Sequence, residues 1–154
     1  MHDLQWTPDL ESWTMMLNND VFDELEIEVK TDGEADPPTP KQIAAVDMIC
    51  SLTRADLKTI ATLVKTWAEE NMEEEDLEEM EAEDFELEIG GVVVPKLRDS
   101  EALYFIFTGD SEVDIEHGLG CVCKNGSQFA ICDTDYAYMD YDWDAIKELE
   151  ALFA

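Results

Sequence analysis

Asn125-Gly126 stands between two largely apolar runs, Leu119 to Lys124 and Ser127 to Asp133. An Asn-Gly pair suits a two-residue type I′ turn, in which both central residues take positive φ, so the two runs read as the arms of a tight β-hairpin. Such a turn places Lys124 opposite Ser127. Val122 then faces Phe129 and Gly120 faces Ile131 on one side, while Leu119, Cys121, Cys123, Ala130 and Cys132 share the other. Both faces are apolar, which predicts a central hairpin covered on two sides.

Other segments supply the cover and the rest of the sheet. Leu25, Ile27 and Val29 alternate with Glu24, Glu26 and Glu28, the period of a strand with one wet face. Ser12 to Leu17 reads as its hairpin partner through Asn18-Asn19-Asp20, and Asp32-Gly33 and Pro37-Pro38 end the unit. Thr39-Pro40-Lys41-Gln42 combines an N-cap, a proline at the first helical position and a capping-box glutamine, predicting a helix to about Ser51. Thr53-Arg54-Ala55-Asp56 is a second start signal. Behind it Leu57, Ile60, Ala61, Val64, Trp67 and Ala68 recur at helical spacing. Phe85 to Ile89 alternates again before Gly90-Gly91 and Val92 to Val94, strands resume at Ala102 to Phe107, and Asp142 to Phe153 has the spacing of a short closing helix. The expectation is one α+β domain over residues 1–154. It has an antiparallel sheet with two consecutive helices between an N-terminal hairpin and a C-terminal strand meander. Val122, Phe129, Ile131, Ile60, Val64 and Trp67 are expected in a single core.

Charge decides which partners such a domain could take. The chain carries 39 Asp or Glu against nine Lys or Arg, a formal net charge of −30 over 154 residues. With 45% apolar residues it can still build a core. A charge of this sign repels phosphate backbones and anionic lipid, which argues against direct nucleic-acid or membrane binding. No apolar run of membrane-spanning length occurs, and Met1-His2-Asp3-Leu4 lacks the positive flank of a secretory signal, so a cytoplasmic location is expected. Residues 69–88 hold 13 of the acids and no Lys or Arg. Charges this dense repel, and the segment, above all 69–84, reads as a solvated helix end and linker. The alternative is a partner-binding face of Glu73, Glu74, Glu75, Asp76, Glu78 and Glu79.

Three constellations invite chemical readings. His117, Cys121, Cys123 and Cys132 have the residue types of a zinc site. Cys121 and Cys123, however, are two apart on a strand, whereas tetrahedral sites draw ligands from C-x2-C knuckles in turns. The thiols are expected to be reduced, buried small hydrophobes, with no structural zinc. Cys121 and Cys132 are diagonal neighbours in the two-residue-turn register, but reducing cytosol disfavours a disulfide. Asp114, Glu116 and His117 form a polar patch in which His117 could serve as a base. No accompanying nucleophile motif is present. Asp140, Asp142 and Asp144 resemble the opening of a calcium loop, but Ala145 and Ala151 stand where the glycine and closing glutamate belong. Asp142 or Asp144 suits a helix start better. No cofactor, metal or catalytic residue is expected.

The opening hairpin, Thr39-Pro40-Lys41-Gln42-Ile43, the helix ending in Thr66-Trp67-Ala68 and Glu116-His117-Gly118-Leu119-Gly120 together resemble a bacterial family of small α+β proteins. Members of that kind are found near polymorphic toxin systems, where an immunity role has been suggested. The resemblance spans most of the chain and implies no catalytic residues. It favours a non-catalytic acidic binding protein of the immunity or inhibitor type, docking on a basic partner such as a nuclease toxin. Two other classes stand beside it: a nucleic-acid mimic blocking a DNA-binding protein, which calls for a long acidic stripe, and a metal-dependent or His117-based enzyme.

Overall fold

The computed structural model describes residues 3–96, 101–114, 118–134 and 143–153, with the side chains of 143–146 set aside. The fold is α+β. Strands β1 (Gln5–Thr7), β2 (Ser12–Leu17), β3 (Leu25–Val29), β4 (Glu88–Val94), β5 (Tyr104–Asp110), β6 (Leu119–Lys124) and β7 (Gln128–Cys132) form one sheet. Their spatial order is their order in the chain. Every pairing is antiparallel except β3 with β4, which run parallel. A parallel pair cannot be joined by a tight turn. Helices α1 (Pro40–Ser51), α2 (Arg54–Asn71) and α3 (Glu74–Glu78) and a 3₁₀ turn, Ala82–Phe85, make that crossover. Helix α4 (Trp143–Ala151) closes the chain.

The helix starts follow their sequence signals. Thr39 Oγ1 accepts from the Gln42 amide at 3.2 Å, and the Thr39 amide donates back to Gln42 Oε1 at 3.0 Å. Thr53 and Asp56 repeat the reciprocal cap at α2. Each cap satisfies amide groups that a helix start otherwise leaves unpaired and is worth about 1 kcal/mol. Gln42 does more. Only 2% exposed, its Nε2 donates to the carbonyls of Lys30 at 2.7 Å and Pro95 at 3.0 Å, tying the ends of β3 and β4 to the start of α1.

The hairpin at Asn125 departs from the expected register. Asn125 and Gly126 do take positive φ, 55° and 73°, and the Ser127 amide donates to the Lys124 carbonyl at 3.2 Å. The ladder, however, pairs Lys124 with Gln128, so Ser127 belongs to a three-residue loop. That one-residue slip turns every β7 side chain to the other face. Cys121 pairs with Ile131, Cys123 with Phe129, Val122 with Ala130 and Gly120 with Cys132. The three thiols therefore do not share a face, and Cys132 is no diagonal neighbour of Cys121. The hairpin is also not central as a unit: β6 is interior, while β7 is the edge strand.

One face of the sheet gathers Ile27, Val92, Phe105, Phe107, Cys121 and Cys123 beneath the first two helices, with α2 lying against β7. The other gathers Tyr104, Ile106 and Val122, all fully buried. Leu149 of α4 is also fully buried, and the Phe153 ring lies 6.3 Å from that of Tyr104 and 5.7 Å from Lys124 Nζ, seating α4 on this second face. All six residues expected in the core belong to one apolar cluster, with Phe129, Ile131 and Trp67 only partly buried and Val122 on the opposite face from Phe129 and Ile131.

Candidate functional site: an acidic groove

Glu69 and Glu70 form the exposed end of α2, as expected, and the rest of the acidic window is folded, chiefly into α3 and the 3₁₀ turn. Helix α3 has Glu74, Glu75 and Asp76 in its first turn, where carboxylates oppose the positive helix end. The 3₁₀ turn is held by the Glu81 amide donating to Asp84 Oδ2 at 2.9 Å. Leu77 and Met80 are half-buried and Phe85 is 7% exposed, with Lys65 Nζ 6.0 Å from its ring centre. Those three apolar anchors pin a segment whose charges alone would drive it apart. Phe85 thus ends a 3₁₀ turn instead of opening a strand, and β4 begins at Glu88.

Fixing the anchors inward turns the acids outward. Glu73, Glu74, Glu75, Asp76, Glu78 and Glu79 are all exposed on and around α3. A second group lies where the 3₁₀ turn meets the start of β4. Glu83, Asp84, Glu86 and Glu88 line an open groove of about 480 Å³ with Asp110, Ser111 and Glu112 from the end of β5. Six carboxylates face it and none of its lining residues is Lys or Arg. The β-ladder sets Glu88 directly opposite Asp110, a like-charge pairing that costs stability when nothing positive lies between. Ser111, 6% exposed, holds the turn beyond β5 by accepting from the Val113 amide at 3.1 Å.

Asp110 and Glu112 carry no local sequence signal that links them to the acidic window. They lie more than 20 positions from Glu88, and only the antiparallel pairing of β4 with β5 brings them together. Of the polar patch, Asp114 is half-buried and its carbonyl accepts from the Gly118 amide at 2.8 Å. Glu116 and His117 lie outside the described residues, as do Asp140 and Asp142.

The three β-sheet thiols are buried and held in their protonated form. Cys121, Cys123 and Cys132 are free and buried. Burial pushes the Cys123 thiol up to about 12 from an ordinary 9.0, and burial with the nearby Asp133 charge does the same for Cys132. Burial raises Cys121 further still. Among the described residues no three His, Cys, Asp or Glu side chains converge on a point that could hold a metal ion, and no helix is long and apolar enough to cross a membrane. The groove offers a spread field of carboxylates, suited to ammonium and guanidinium groups on a larger surface.

Comparisons with protein-family models, with curated proteins and with solved structures find no match.

Proposed function

We propose that this protein is a non-catalytic binding protein of the immunity or inhibitor type, whose acidic surface docks on a basic protein partner. The observation that carries the reading is the groove in which Glu83, Asp84, Glu86 and Glu88 meet Asp110 and Glu112 without a cation among the lining residues. A protein that sets Glu88 opposite Asp110 gives up stability there, and a partner's lysine or arginine between them would recover it. The exposed acids from Glu73 to Glu79 extend the field beside the groove and steer encounter, raising the association rate and selecting against acidic competitors.

The test is affinity capture at low salt from the cells that make the protein, followed by stopped-flow association of the captured protein. Raising salt from about 0.1 M to about 1 M shortens the Debye length from about 10 Å to about 3 Å and is expected to slow association at least tenfold. Replacing Glu73, Glu74, Glu75, Glu78 and Glu79 with glutamine is expected to slow association while leaving dissociation nearly unchanged. Glu88→Gln with Asp110→Asn is expected to speed dissociation, because these groups are read as contacting the partner. A captured partner indifferent to salt and to both sets of substitutions would overturn the reading.

A further inference from the structure

A second concavity has the opposite character and lies on the other side of the Glu86 to Ile89 segment. Its floor is apolar: Val21, Leu57, Ile60, Ala61, Leu87 and Ile89 line a hollow of about 430 Å³ between α2 and the start of β4. Its rim carries Arg54 and Lys58, one helical turn apart and both exposed, against the single acid Glu86. Two of the nine cations of a chain with net charge −30 thus flank one apolar hollow.

Two backbone features give the hollow a direction. The ladder of β4 with β5 shifts register between Ile89 and Gly91, a bulge at Gly90. Ile89 consequently points to the same face as Val92 and Phe107, toward α2, instead of alternating away. The parallel ladder with β3 starts only at Glu26 and Gly91. Glu88 and Ile89 therefore pair with β5 on one edge, and among the described residues no strand lies along the other. Gly90 is exposed, with open space where a side chain would stand. An unpaired strand edge beside an apolar hollow is the arrangement by which sheets accept an extended peptide.

We propose that this groove binds an extended segment of a partner protein that adds a short strand along the free edge of Glu88 and Ile89, places apolar side chains against Leu57, Ala61 and Leu87, and sets a carboxylate between Arg54 and Lys58. The carboxylate follows from charge complementarity, since the rim has two cations to one acid. Arg54 already donates from one guanidinium nitrogen to the Asp20 carbonyl at 2.9 Å, which holds the fork in place while leaving further N–H donors. This site shares Glu86 and the Glu88 segment with the acidic groove, but it does not need the basic partner proposed for that groove.

The test uses the full chain and a phage-displayed library of random octapeptides. Enriched peptides are expected to alternate apolar residues and to carry Asp or Glu beside them. A synthetic enriched peptide is expected to shift the amide resonances of Ile89 and Gly90 and to lose at least tenfold in affinity against Arg54→Glu with Lys58→Glu. Ala61→Phe, which fills the hollow, is expected to abolish binding, with circular dichroism and thermal melting confirming that both variants fold. No enrichment of peptides carrying Asp or Glu, or binding of such a peptide undiminished by both variants, would overturn the proposal. So would concentration-dependent dimerisation abolished by the same variants, which would assign the groove to a second copy of the chain.

Discussion

Gly120 lies directly opposite Cys132 on the adjacent strand, and the Cys132 sulfur sits 3.0 Å from where a Gly120 side chain would begin. The carbonyl oxygen of Asp133 is equally close, so both a β7 side chain and the backbone just beyond β7 occupy that space. Gly120→Ala is therefore expected to cost about 1–3 kcal/mol through overpacking. Removing the sulfur with Cys132→Ala relieves one of the two contacts. The double variant is expected to be more stable than the sum of the single changes, a coupling readable in urea denaturation.

Gln42 joins three parts of the fold through one amide, and losing it leaves the Lys30 and Pro95 carbonyls without that donor. Gln42→Leu keeps the volume and removes the bonds, and it is expected to destabilise by about 2–4 kcal/mol. Gln42→Glu retains the acceptor for Thr39 but supplies no amide donor at neutral pH, so it is expected to be at least as damaging. Chemical denaturation of the two variants checks both statements.

Buried thiols set an alkaline limit on stability. Cys123 and Cys132 hold their protons to about 12 in the folded chain and ionise near 9.0 once exposed, so above pH 9 the unfolded state binds fewer protons. Stability is thus unaffected by these groups below pH 9 and falls between pH 9 and 12, by about 1.4 kcal/mol per pH unit for each thiol fully in that window. A Cys123→Ala, Cys132→Ala variant is expected to flatten the slope relative to the parent. In native protein at pH 8 a thiol reagent is expected to modify Cys50, which is half-exposed, and to reach the other three only on unfolding.

Tyr104 is fully buried, and its hydroxyl has no hydrogen-bond partner among the described residues. An unpaired buried hydroxyl opposes folding. Tyr104→Phe keeps the ring against Phe153 and is expected to be neutral or stabilising by up to about 1 kcal/mol. A loss above about 1 kcal/mol in thermal or chemical unfolding would show that the hydroxyl is bonded.

The elements legible in the sequence share a local cause. Thr39 with Gln42 and Thr53 with Asp56 begin helices because caps act within one turn, and Leu25, Ile27 and Val29 form a strand because alternation lies in the chain itself. Expectations failed where a local pattern admits two outcomes. The alternation at Phe85 and Leu87 equally fits a 3₁₀ turn whose ring packs inward. An Asn-Gly turn followed by serine accommodates either a two- or a three-residue loop, and that single residue decided which face holds Cys132.

The sequence by itself determined the acidity, the capped helices, the apolar strands and hence the α+β class, all set by neighbours within a few residues. Only the tertiary structure decided the parallel pairing of β3 with β4, the register of β7 and the bulge at Gly90. It also brought Asp110 and Glu112 to Glu88, out of which the acidic groove is made. Those outcomes depend on which distant strands lie side by side, and strand pairing is selected by the summed burial of both sheet faces, a quantity no short stretch of sequence contains.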